Sequence, residues 1–298
     1  MNRCMECPRK CLVDRSRVTG YCGVLDKIKI ARASLHIWEE PCISTSCGSG
    51  TIFFSGCNLR CVYCQNYNIS HNGFGMEIDV DRLVEIFFEL KEKGASNINL
   101  VTPSHYVSLI REAIVKARSI GFDLPFIYNS SGYDSIDALE KLKGLIDVYL
   151  PDFKYIDDNV AYKYSNCKDY VSTVIEAIDY MYNDVGRVVF DEYGAIKKGV
   201  IVRVLVLPNY VDDSKKIIKY LYSKYKDNIY ISIMNQYTPM GNLDKYSEIN
   251  SKLTISEYNE VVDYAISIGV SNAYIQEEGT CDESFIPCFD LEGVEKRW

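Results

Sequence analysis

From residue 50 onward, short apolar runs alternate with stretches that repeat an apolar residue every three or four positions. The runs are 51–55 (TIFFS), 97–101 (NINLV), 125–128 (PFIY), 146–150 (IDVYL), 200–205 (VIVRVL) and 228–233 (NIYISI), with a seventh candidate at 272–275 (NAYI). Each is short, continuous and apolar, as a strand buried on both faces should be. Helices are expected near 79–93, 105–120, 134–143, 170–185, 212–226 and 256–268. In 81–93, Leu83, Val84, Phe87, Phe88 and Leu90 share one helical face. The alternation predicts an α/β fold with a parallel sheet, specifically a partial (β/α)6 barrel. Sites in such folds lie beyond the C-terminal ends of the strands, which directs attention to 56–66, 102–105, 129–133, 151–154, 207–210 and 235–239.

The first 49 residues break this rhythm. Residues 1–25 are rich in cysteine, with Pro8, Gly20 and Gly23 as turn formers, and are too small and polar to fold without a ligand. Residues 26–49 show little periodicity and read as a connecting segment. The expected division is 1–49, a metal module with its connector, and 50–298, the barrel with a C-terminal tail.

Composition narrows the function. The 298 residues carry 33 Lys and Arg against 41 Asp and Glu, a net charge of −8, and 47% are hydrophobic. That supports a full core and argues against nucleic-acid or anionic-membrane partners, which need a basic face. The N-terminus has no apolar signal region and no run is long enough to span a membrane, so the thiols are expected to stay reduced in a cytoplasmic setting. Nine of the twelve cysteines fall within the first 64 residues. Such clustering at spacings of two and three is a pattern of metal or iron–sulfur ligation rather than of a disulfide scaffold.

Cys57, Cys61 and Cys64 form C-x3-C-x2-C directly after the first barrel strand. Three thiolates suit three irons of a 4Fe–4S cluster and leave the fourth iron open to an outside ligand. The alternatives are a zinc site, one protein ligand short, or three free thiols. In this position GCNLRCVYCQN resembles the radical S-adenosylmethionine (SAM) superfamily. CPRKCLVDR, LVTPSHY, YNSSGY, YLPDFKY, VRVLVLP and NQYTPM extend the likeness over almost the whole chain, to the pyruvate formate-lyase activating enzyme-like subgroup.

The resemblance implies that the open iron chelates SAM, and that reductive cleavage gives a 5′-deoxyadenosyl radical that abstracts hydrogen from substrate. It implies cofactor contacts from Tyr63, the aromatic before the third cysteine, and from the strand-end residues. Thr102 stands where activases carry a Gly-Gly-Glu motif. Asn129, Ser130 and Ser131 resemble the run that meets ribose and methionine. Asp152 and Lys154 match an Asp-x-Lys motif, although a structural salt bridge would also account for them. Arg203, a charge inside an apolar strand, needs SAM, a substrate carboxylate or a buried ion pair. Gln236 is a candidate on the adenine side. His105 follows a strand end and is a candidate substrate residue or a helix-start residue; His36 and His71 read as surface or loop residues.

Cys4, Cys7, Cys11 and Cys22 form C-x2-C-x3-C-x10-C, which can wrap a second 4Fe–4S cluster or zinc. Cys42, Cys47, Cys167, Cys281 and Cys288 read as ordinary buried or loop thiols, with a thiyl-radical or auxiliary-ligand role as the alternative. The expected activity is radical SAM chemistry on a glycine of a glycyl-radical enzyme, or on another protein, peptide or small molecule. A purely metal-binding module would not need the polar strand ends. The partners implied are a low-potential electron donor of flavodoxin or ferredoxin type and a protein substrate.

Overall fold

The computed structural model describes residues 3–241, 243–276 and 287–296. The chain runs β1 (Ile28–His36), α1 (Pro41–Ser44), β2 (Ser49–Phe54), α2 (Tyr67–Ser70), β3 (Met76–Ile78), α3 (Val80–Glu92), β4 (Ile98–Val101), α4 (Val107–Ser119), β5 (Phe126–Ser130), α5 (Ile136–Lys141), β6 (Val148–Pro151), α6 (Asp158–Ser165), α7 (Tyr170–Val185), β7 (Val189–Phe190), β8 (Ile196–Leu205), α8 (Val211–Tyr225), β9 (Tyr230–Met234), α9 (Ile255–Ser267) and β10 (Ala273–Ile275).

The strands lie in the order β10-β9-β8-β6-β5-β4-β2-β1-β3, with β7 paired to β8. From β2 to β10 every neighbour along this order is parallel. Among the described residues the path does not close on itself, so the fold is α/β with a partial barrel. All seven apolar runs are strands and all six periodic stretches contain helices. Continuous burial along β2, β4, β5 and β6 explains why these strands lack alternation. Helices cover the outside. Phe87 of α3 meets Phe122 and Phe126 at ring separations of 5.9 and 5.1 Å, and all three rings are buried. Burying each such side chain stabilises by about 1.5–3 kcal/mol.

The segment expected to be a connector is instead part of the sheet. β1 pairs antiparallel with β2 and with β3. Its alternation is interrupted by a register shift between Ile30 and Arg32, so burial runs on through consecutive Ile30 and Ala31. A bulge of this kind flips the inward parity and removes the period-2 signal. Beyond β1, residues 37–44 turn inward toward the lumen, and the Asn97 amide donates to the Ile43 carbonyl at 2.7 Å. The cysteine-rich residues 3–25 contain no helix or strand.

Candidate functional site

A cavity of about 420 Å³ opens at the C-terminal ends of the parallel strands. The loop after β2 supplies one wall. Gly56 begins it at φ +83°, where a Cβ would lie 2.7 Å from the Cys22 carbonyl oxygen, so both conformation and space require glycine. Cys57, Cys61 and Cys64 follow, and all three line the cavity. Their sulfurs accept hydrogen bonds from the protein. Leu59 N–H and Arg60 N–H reach Cys57 Sγ at 3.3 and 3.4 Å, the Ser165 hydroxyl reaches Cys61 Sγ at 3.0 Å, and the Ser70 hydroxyl reaches Cys64 Sγ at 3.3 Å. Burial, aided by the neighbouring thiols, pushes the Cys57 thiol up to about 12, and burial raises Cys64 as well. Such thiols ionise when a metal centre supplies the positive charge. Hydrogen bonds to cluster sulfurs are one of the ways a protein sets reduction potential.

The other wall is built from strand ends. Thr102, Asn129, Ser130, Ser131, Asp152, Lys154, Arg203 and Gln236 all line the same cavity, as does Tyr63. Thr102 is held at φ +62°, a strained conformation for a β-branched residue, and its N–H donates to the Asn129 carbonyl at 2.8 Å. Ser131 Oγ is buried without a partner, a free hydroxyl suited to a sugar or carboxylate group. Ser130 faces elsewhere: its hydroxyl donates to Asp134 at 2.6 Å. The Tyr63 hydroxyl also turns away, donating to Tyr155 at 2.7 Å, while Tyr155 and Ser165 share a 2.7 Å bond and Ser165 continues to Cys61.

The charged residues form one network. Asp152 accepts from Arg203 Nε at 2.8 Å and from Lys154 Nζ at 2.7 Å. Arg203 Nη2 donates to Asn129 at 2.5 Å and Nη1 lies 3.5 Å from Glu39. Arg203 therefore has protein partners, as in the buried ion-pair alternative. Burial raises the Asp152 carboxyl, but Arg203 and Lys154 outweigh it and hold it below its usual range. Glu39 and Glu40 go the other way, because burial exceeds the help from Arg203. Both glutamates line the cavity. Sequence reasoning missed them: they follow the strand hidden by the bulge. The available signal was two consecutive acids before Pro41 in an otherwise apolar stretch.

His105 fits the helix-start alternative, two residues before α4, rather than the substrate one. It lies outside the cavity, 1% exposed, with Nε2 donating to the Ser55 carbonyl at 2.9 Å and its own carbonyl accepting from Arg15 at 2.6 Å. Burial pushes its imidazole down to about 3. His36, expected on the surface, is half-buried and lines the cavity edge against Phe53. His71 caps α2 and stacks on Tyr67 at 4.1 Å. Cys42 and Cys167 are buried, and burial raises each to about 11, whereas Cys47 and Cys288 are exposed. Cys281 lies outside the described residues.

The N-terminal cysteines approach one another behind the loop. A Cβ on Gly20 would lie 3.4 Å from Cys11 Sγ and 3.7 Å from Cys22 Sγ. Burial pushes Cys7 up to about 12, with Cys22, Cys11 and Cys4 adding to the effect. Arg9 clamps the module, donating to the carbonyls of Asn58, Asn166 and Ser165 at 2.8, 2.6 and 2.9 Å and stacking 3.9 Å over Tyr21. Among the described residues, no three or more His, Cys, Asp or Glu side chains close around a single ion, here or in the loop. Among the described residues, no helix is long and apolar enough to cross a membrane.

Residues 51–221, more than half of the chain, match the model of the radical SAM superfamily. An uncharacterized protein of Methanocaldococcus jannaschii, MJ0674, is 30% identical over 273 residues, 88% of this chain and 74% of that protein. Among solved structures, Streptococcus suis SuiB bound to precursor peptide SuiA aligns with a TM-score of 0.53 at 14% identity, over 75% of this chain and 47% of that one. The FeFe-hydrogenase maturase HydG from Carboxydothermus hydrogenoformans aligns with a TM-score of 0.51 at 15% identity, over 79% of this chain and 56% of that one. At these identities the two structures share the fold, and this chain spans about half the length of each.

Proposed function

This chain belongs to the radical SAM superfamily, and from that premise we propose that it cleaves SAM reductively and abstracts hydrogen from a glycine of a partner enzyme. Members of the superfamily carry a 4Fe–4S cluster and use SAM, and the donor set here fits both. Cys57, Cys61 and Cys64 would hold the cluster, which supplies the electron for cleavage. Ser131, with its unpartnered hydroxyl, and Asp152 and Lys154, with their opposed charges, would orient SAM. The observation that carries the reading is the sharing of one cavity by three thiols and the polar ends of the parallel strands.

Anaerobic reconstitution followed by a 5′-deoxyadenosine assay under dithionite tests it. Product is expected from the native chain and none from Cys57→Ala. Persistent product in that variant would sink the assignment. A glycyl-radical spectrum on a co-expressed partner tests the activase role.

A second reading, direct modification of a small molecule or peptide side chain, draws on Glu39 and Glu40. A backbone glycine offers these two carboxylates no charge, whereas a substrate amine would. SAM turnover with product on an amine substrate, and no partner radical, would favour it.

The four N-terminal thiols are proposed to hold a second metal centre, either 4Fe–4S or zinc. About eight iron per chain indicates two clusters, and about four iron with one zinc the other answer, by those ligand counts. A low-potential carrier of flavodoxin or ferredoxin type is the proposed donor.

A further inference from the structure

We propose that the cavity contains a subsite for a substrate ammonium group, with Glu40 as its acceptor and with the apolar stem of the substrate running out past Ile37, Trp38 and Ile275. The inference deepens the second reading above, direct modification of an amine, and rests on that reading for the use of this cavity by substrate.

The sheet supplies the frame. Asp152 just beyond β6, Arg203 on β8, Ser232 on β9 and Tyr274 on β10 are successive neighbours in register. Parallel neighbours in register present their side chains to one face, and all four line the cavity. The chain leaving β1 brings Glu39 and Glu40 against this row. Glu39 lies 3.5 Å from Arg203, and Ser232 is the hydroxyl that faces Glu40. The charged donors are engaged elsewhere. Lys154 Nζ and Arg203 Nε donate to Asp152, and Arg203 Nη2 donates to Asn129. Asn99 Nδ2 donates to Glu39 at 2.9 Å, and the Tyr274 hydroxyl serves Cys42. Glu40 is 9% exposed, and its Oε2 is buried with no hydrogen-bond partner.

Three carboxylates, Asp152, Glu39 and Glu40, therefore share two cations, Lys154 and Arg203, all five lining one cavity. A buried carboxylate oxygen without a donor is costly, and the group that would complete this row is a cation rich in donors. An ammonium offers three donors and no acceptor. An alcohol brings no charge, and a carboxylate would add to the excess already present. The mouth is of opposite character. Ile37, Trp38 and Ile275 line the same cavity and are exposed. Ile37 and Trp38 lead directly into Glu39 and Glu40, and Ile275 follows Tyr274. Apolar residues exposed at the lip of a pocket, above a few placed polar groups, suit a ligand with a charged head and an apolar stem.

The test measures, by calorimetry at neutral pH, the binding of n-hexylamine and n-hexanol to the anaerobically reconstituted native chain, with and without SAM. The two probes share a stem and differ in charge. The amine should bind at least about tenfold more tightly than the alcohol, and SAM should not displace it. Equal affinities, or displacement of the amine by SAM, overturn the proposal. Glu40→Gln should erase the preference for the amine, whereas Glu112→Gln, which removes an exposed acid of α4, should retain it. A preference that survives Glu40→Gln overturns the assignment. Should Glu40→Gln not fold, Glu40→Asp keeps the charge one methylene short and should lose part of the preference. Trp38→Ala should weaken amine and alcohol by a similar factor, and unchanged affinity for both overturns the path of the stem. A blocked peptide with a single lysine separates the two sources of such a group. Tighter binding than n-hexylamine assigns a protein side chain, weaker binding a small molecule, and no binding of either overturns the proposal. None of these readouts depends on SAM cleavage. Cleavage with no product on an amine would sink the second reading and leave the measured subsite standing, whereas a lost preference sinks the subsite whatever the deoxyadenosine assay shows.

Discussion

The two thiol sites are held in different ways. Cys57, Cys61 and Cys64 sit on a loop whose ends are set by β2 and α2, so the barrel itself positions them. Cys4, Cys7, Cys11 and Cys22 sit in a stretch without helix or strand, positioned by arginines that grip main-chain carbonyls. The loop inherits the rigidity of a buried parallel sheet. The module depends on a few charge-assisted hydrogen bonds. Damage to the barrel side should therefore spread through the whole fold, and damage to the clamps should stay local. Substitutions at three residues probe that contrast.

The largest effect is expected at Arg203. It links Asp152 of the strand end to Glu39 beyond β1, with Asn129 as a third partner. Arg203→Met leaves these buried carboxylates facing one another, and breaking such a network by removing one partner costs about 3–5 kcal/mol. Denaturant unfolding should show this loss across the whole cooperative transition. Arg203→Lys keeps the charge without the planar fork and should recover only part of it. Equal stability of native and Arg203→Met proteins would mean that the barrel does not rely on this network.

A smaller, local effect is expected at Arg9. Arg9→Ala releases three carbonyl acceptors, a cost of about 1.5–3 kcal/mol for a hydrogen bond to a charged donor. Hydrogen exchange should quicken in residues 3–25 and leave β4 and β5 protected. Loss of protection in the strands as well would erase the distinction between a clamped module and an embedded loop.

The same contrast governs what the sequence could tell. Strands, helices and the cavity's thiol and strand-end residues were legible because buried parallel strands read as apolar runs and their ends are known positions for chemistry. Arg203 stood out as a charge in such a run. The floor of the cavity was not legible. A bulge in β1 disguised a strand as a connector, and Glu39 and Glu40 came with it. Side-chain direction was also out of reach: Ser130 and Tyr63 line the cavity, yet their hydroxyls bond to Asp134 and Tyr155. Ser70 and Ser165, which donate to cluster-loop sulfurs, come from helix ends with no motif to mark them.

The smallest effect lies at the seam between the two regions. His105 bonds the loop side through Ser55 and the module side through Arg15. Its Nδ1 is buried without a partner, so the ring is neutral and Nε2 carries the proton. Burial holds the imidazole at about 3, the Arg15 charge adds to this, and the Ser55 bond opposes it. In the unfolded chain the same group titrates near 6.5. Between these values the unfolded state binds a proton that the folded state does not, so stability falls as pH drops below 6.5. The slope is about 1.4 kcal/mol per pH unit, or about 2 kcal/mol by pH 5. Above pH 7 the group contributes no pH dependence. Unfolding midpoints at pH 7 and pH 5, compared with those of His105→Gln, isolate the effect. The variant keeps a side-chain donor for Ser55 and cannot take up the proton, so its pH dependence should be shallower by that amount. Parallel slopes for the two proteins would show that His105 takes up its proton in the folded protein, so that module and loop part at the seam without unfolding the barrel.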